Sequence, residues 1–152
     1  ITPAPELTDF PVLLNGSVPR LKAYPMATAI AEKAEAMVSR GIINSRMKDF
    51  YDIWLLSELF DHDYSILRKA VGNTFERRKV PMPLKTPEAW TTEFAANPIK
   101  ATQWNAFLRK NVLQSAPVDF GLVVARIAMF LSPVFFPPAE TPAKWLAAQG
   151  WK

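Results

Sequence analysis

Ser45-Arg46-Met47-Lys48-Asp49-Phe50-Tyr51-Asp52, with Ala31-Glu32-Lys33 upstream, puts charge where helical periodicity asks for apolar side chains. On a helix advancing about 100° per residue, Ile53, Leu56 and Phe60 fall within roughly 40° of Asp49. Asp52 and Leu59 lie on the adjoining flank. Both carboxylates therefore share the face that should meet the core. A buried, unpaired carboxylate costs several kcal/mol, so a cation must meet these two: an arginine, a lysine or a metal ion.

Outward from this stretch the pattern stays helical. Pro25 suits a first helical turn, and Ile30, Ala34, Met37 and Val38 form an apolar stripe that Gly41 ends. Lys33 lies at the edge of that stripe, where its stem can reach inward. Asn44 or Ser45 can cap a second helix running to about Leu59, and Asp63 a third with Leu67, Ala70, Val71 and Phe75 on one face. Thr86-Pro87 and Asn97-Pro98 each read as a cap followed by proline at the first helical position. Val118 to Leu131 is apolar almost all round and should be central. Asp119, Arg126 and Pro133 interrupt the wider apolar stretch Val118–Phe136, which argues for a buried helix over a membrane span. After Pro133, Pro137 and Pro138, a short last helix is expected from Thr141. Residues 1–25 hold five prolines and read as extended, with short strands at most near Val12–Leu14 and Arg20–Tyr24. The expected architecture is mainly α: an extended lead-in over 1–25 and a helical domain over 26–152.

Composition limits the function. The 152 residues amount to one domain, 49% hydrophobic with ten Phe and five Trp. The absence of Cys excludes disulfides and thiolate metal sites and fits a cytoplasmic location. A lone His62 excludes a multi-histidine centre built from this chain. The net charge is +4, and residues 20–85 hold 12 Lys/Arg against 8 Asp/Glu. The basic surplus thus accompanies the charged motif, which suits an anionic partner such as a nucleotide or RNA, or solubility alone.

Several readings stay open on spacing alone. Arg46 or Arg40 can neutralise Asp49, and Lys48 can bridge to Asp52 at i,i+4, giving a structural ion-pair cluster. Alternatively a carboxylate takes a proton or meets a metal while Lys33 binds a phosphate. Asp61-His62-Asp63 looks like a metal triplet but reads as a turn and N-cap. Arg77-Arg78-Lys79 reads as a solvated helix end, with an RNA contact the lesser alternative. No phosphate-cradling Gly-rich loop or nucleophile elbow is present.

Tyr24-Pro25, Ile30-Ala31-Glu32-Lys33, Glu35-Ala36-Met37-Val38, Gly41 and Asn44 through Asp52 together resemble the AbiEii/AbiGii toxin family, nucleotidyltransferases of the polymerase-β-like superfold. Thr74-Phe75-Glu76-Arg77-Arg78 and Gln103-Trp104-x-x-Phe107 look like later landmarks of it. The resemblance implies that Lys33 binds nucleotide phosphates and that Asp49 supports the active site with Asp52 beside it. These two are the candidate catalytic residues, and Arg46 and Lys48 are their supporting ion pairs. It further implies transfer of a nucleoside monophosphate from an NTP to RNA, with Mg2+, in a toxin–antitoxin or abortive-infection system. The family's Gly-Gly-Thr loop and D-x-D metal pair are not seen here. The expectation is thus the C-terminal portion of such an enzyme, inactive and cofactor-free alone. Its expected partners are a missing N-terminal half or an antitoxin, with RNA and a second copy as further candidates. The competing expectation is a non-catalytic helical partner-binding module.

Overall fold

The computed structural model describes residues 20–41, 46–113 and 115–152. Among these run α1 (Arg20–Arg40), α2 (Met47–Leu59), β1 (His62–Asp63), α3 (Tyr64–Arg77), α4 (Thr92–Ala96), α5 (Pro98–Lys110), α6 (Phe120–Phe135), β2 (Lys144–Leu146) and β3 (Gly150–Trp151). The protein is mainly helical, as the periodicity requires. The strand expected near Val12–Leu14 and the caps expected at Asn44 and Ser45 lie outside the described residues.

The central helix is α6. Val123, Ile127, Phe130, Leu131 and Val134 are buried to 0% exposure, and α2, α3 and α4 pack around them. Asp119, which breaks the apolar run in sequence, is the N-cap of α6: its Oδ1 accepts from the Gly121 N–H at 2.8 Å. Arg126, the other interruption, reaches Glu58 of α2 at 2.6 Å. Pro133 sits inside the last turn, and α3 meets the carbonyls there. The Tyr64 hydroxyl donates to the Pro133 carbonyl at 2.7 Å and the Arg68 guanidinium to Val134 at 2.6 Å. Both satisfy acceptors that a helix end leaves open, and Arg68 complements its negative dipole end. No helix among the described residues is long and apolar enough to cross a membrane.

Two of the expected caps appear. Asp63 accepts from the Ile66 N–H at 3.0 Å and Asn97 from the Ile99 N–H at 2.8 Å, with Pro98 opening α5. Asp63→Ala is expected to lower the unfolding free energy by about 1 kcal/mol, measured by urea denaturation, because the first turn of α3 loses that acceptor.

Four expectations are corrected. The first helix begins at Arg20, so residues 20–25 are helical and the strand expected at Arg20–Tyr24 is not formed. Pro25 lies inside α1, where it removes a single N–H near the helix start while the buried Met26, Ala27 and Ile30 hold the turn in place. Thr86-Pro87 opens only a 3-10 turn, Glu88–Trp90; Thr91 caps α4, accepting from Phe94 N–H at 3.2 Å. The last segment is a β-hairpin and not a helix. Trp145 pairs with Trp151 in β2–β3 and with His62 in β1–β2, giving a three-stranded antiparallel sheet. The apolar faces of the first two helices are covered: Met26, Ile30, Ala34 and Met37 of α1 and Phe50, Ile53 and Leu56 of α2 are buried in the common core. Exposed large apolar side chains, such as Leu84, Ile99, Val112 and Leu122, lie mostly elsewhere.

Candidate functional site

Three elements converge on one cleft of about 310 Å³. From α1 come Ala29, Glu32, Lys33, Ala36 and Arg40, which recur at three- and four-residue spacings and so share a face. Arg46 and Asp49 come from the start of α2, and Arg78 from the end of α3. Arg46 occupies the N-cap position of α2, where its guanidinium, a donor only, cannot cap the helix and instead meets Asp49.

The carboxylates are met by cations. Asp49 is buried at 4% exposure. Lys33 Nζ lies 3.6 Å from Asp49 Oδ1 and 3.0 Å from Asp52 Oδ2. Arg46 Nε lies 3.7 Å from Asp49, and Lys48 Nζ lies 2.7 Å from Asp52. Each aspartate thus has two cationic neighbours, and Lys33 bridges both. Of the two arginines considered for Asp49, Arg46 is the one in range. Lys33, Asp49, Asp52, Arg46 and Lys48 are therefore a single cluster linking α1 to α2. Beside it, burial and the Asp52 charge push the Tyr51 hydroxyl's pKa up, against a hydrogen bond from Ser115. Tyr51 stays protonated at neutral pH.

A second ion-pair set was not anticipated. Glu35 is buried at 6% exposure and meets the Arg78 guanidinium at 2.5 Å and the Ser39 hydroxyl. Burial pushes its pKa up, but the bonds from Ser39 and Arg78 and the charges of Arg78 and Arg40 outweigh that and hold it below the usual value. Glu32 takes Arg77 at 3.2 Å and Arg78 at 3.8 Å. The basic end of α3 is therefore clamped to α1 and is not simply solvated. A signal existed: Glu35 lies about 40° from the buried Ala31 on the helical wheel, the same conflict that marks Asp49.

Asp61, His62 and Asp63 have separate structural tasks. Asp61 accepts from the Ala147 N–H at 2.8 Å, His62 Nε2 bonds to the Leu56 carbonyl at 2.8 Å, and Asp63 caps α3. Among the described residues no three potential metal ligands gather.

Chemically, the cleft carries Lys33, Arg40, Arg46 and Arg78 against Glu32 and Asp49, an excess of two positive charges. It suits an anion with distributed charge. A family model described as nucleotidyl transferase AbiEii toxin, type IV TA system, matches residues 1–126, a span that includes every cleft residue. No curated protein and no solved structure matches the chain.

Proposed function

The chain belongs to the AbiEii nucleotidyl transferase toxin family, and from that premise we propose that the α1–α2–α3 cleft is the phosphate-binding side of a nucleotidyl-transfer site. The donor would be an NTP and the acceptor an RNA, both found in the cytoplasm. The observation that carries this reading is Lys33, which bridges two carboxylates and lines a cleft with surplus positive charge. Lys33 would exchange one carboxylate for a phosphate oxygen. Asp49, anchored by Arg46, would hold the ammonium in place, with Asp52 beside it. The type IV system to which the family belongs implies an antitoxin counterpart.

The Mg2+ that the resemblance implies does not fit the described residues by themselves. Asp49 and Asp52 each already face two cations, so little negative charge is left for a divalent ion. Further carboxylates have to supply its ligands. The chain alone is accordingly expected to bind an NTP without transferring its monophosphate.

Equilibrium dialysis of a labelled NTP against the chain tests the reading. Lys33→Met is expected to weaken binding about tenfold or more, since a charge-assisted contact to phosphate is lost. Equal binding by wild type and Lys33→Met would refute the phosphate role. Absence of NTP binding altogether would favour the non-catalytic partner-binding module. Labelled monophosphate appearing on RNA with this chain and Mg2+ alone would show that its own residues suffice.

A further inference from the structure

Arg40 differs from the other cations of the cleft. Among the described residues no carboxylate lies within ion-pair distance of it, whereas Lys33, Arg46 and Arg78 each have one or two. Its side chain is exposed, and it lines the same cleft as Lys33.

The geometry of α1 relates the two. Arg40 is seven residues after Lys33, which places it on nearly the same face about 10 Å further along the axis. Ala36 lies between them and Ala29 precedes them. Ala36, the α1 residue lining the cleft between the two cations, contributes only a methyl group, while the carboxylates of Glu32 and Asp49 also line the cleft. Gly41 then ends the helix at φ +61°, a left-handed conformation that suits glycine.

We propose that Arg40 is a second anion-binding residue of this cleft, and that the ligand spanning Lys33 and Arg40 is a linear triphosphate laid along α1. The inference rests on the phosphate reading of Lys33 given above and adds a second residue that holds the same triphosphate. A single phosphate group reaches one cation at a time. A linear triphosphate is long enough to engage both. Arg40 presents a planar fork of donors that matches phosphate oxygens in pairs. Among the described residues it also has no ion-paired carboxylate to release first, whereas Lys33 must exchange one. Arg40 thus favours long polyphosphates over monophosphates.

The test compares inorganic tripolyphosphate with orthophosphate by isothermal titration calorimetry of the whole chain at fixed salt. Wild type is expected to bind tripolyphosphate about tenfold or more tightly than orthophosphate. Arg40→Gln should remove that advantage, weakening tripolyphosphate by more than orthophosphate, the size of effect expected for one charge-assisted contact. Ala36→Phe, which raises the floor between the cations, should act in the same direction. Arg40 is exposed, so circular dichroism of Arg40→Gln should show an unchanged fold.

Arg40→Gln binding tripolyphosphate like wild type would overturn the inference and leave the Lys33 reading standing. Lys33→Met binding both anions like wild type, with Arg40→Gln weakened, would overturn the Lys33 reading instead. No binding of either anion by the wild-type chain would overturn both. A nucleoside triphosphate is expected to displace tripolyphosphate. Displacement by a 5′-triphosphorylated RNA oligomer alone would overturn the free nucleotide as the source of the triphosphate.

Discussion

Trp145→Ala is expected to lower the unfolding free energy by about 3–5 kcal/mol, the range for truncating a fully buried large aromatic. Trp145 is 0% exposed. Its ring meets Phe130 of α6 edge-on at 4.7 Å and Trp151 of β3 at 5.6 Å. Its indole N–H donates to the Ser57 carbonyl at 2.8 Å. Alanine leaves a cavity among α2, α6 and the hairpin and removes that bond. Most domains of this size are stable by only about 5–15 kcal/mol, so the loss is a large share of the total. Urea denaturation followed by tryptophan fluorescence and circular dichroism reads it. Trp145→Phe, which keeps a ring and loses the N–H, should fall between the two. A Trp145→Ala protein within 1 kcal/mol of wild type would show that the hairpin stands outside the cooperative unit.

Acid should weaken the fold well before the carboxylates titrate. His62 is buried in β1 against Phe130, and burial lowers its pKa from 6.5 to about 4, although the Leu56 carbonyl and Asp61 favour the proton. The unfolded chain therefore takes up a proton at a higher pH than the folded one. Stability is fully present above the unfolded value of 6.5 and falls as pH drops towards 4, below which both states carry the proton. The loss between pH 7 and pH 5 should be about 2 kcal/mol, reaching about 3 kcal/mol near pH 4. His62→Gln keeps an N–H donor for the Leu56 carbonyl and cannot titrate. Its stability should be nearly flat over pH 5–7. A wild-type protein equally flat there would mean that His62 accepts its proton in place.

What was legible in the sequence follows a physical rule. Features set within one or two helical turns could be read directly. The caps at Asp63 and Asn97, the central α6, and Asp49 and Asp52 on an apolar face are all of this kind. The Lys33–Asp49 meeting was also foreseeable, because each residue lies at the inner edge of its own helix. The clamp between Glu35 and Arg78 joins residues 43 apart, and no spacing rule encodes that. The hairpin was hidden for a related reason. Trp145-Leu146-Ala147-Ala148-Gln149 has ordinary helix formers and strands too short for a period of two to appear. Its conformation is imposed from outside. The Ala148 N–H donates to the Ser57 carbonyl at 3.0 Å and the Ala147 N–H to Asp61, while Trp151 Nε1 donates to Phe130 at 2.9 Å. Tertiary bonding here overrides local preference.

The hairpin also sets an order for synthesis on the ribosome. The cleft joins segments near in sequence: Lys33 to Asp49 and Glu35 to Arg78 close once residue 78 has emerged. The bond from Trp145 to Ser57 spans 88 residues and must wait for most of the chain. Until then β1 has a bare edge and α6 lacks part of its cover. Long-range contacts of this kind form late and leave nascent intermediates prone to association. The ion pairs of the cleft thus lie wholly within the first 78 residues, whereas the hairpin's bond reaches from residue 145 back to residue 57.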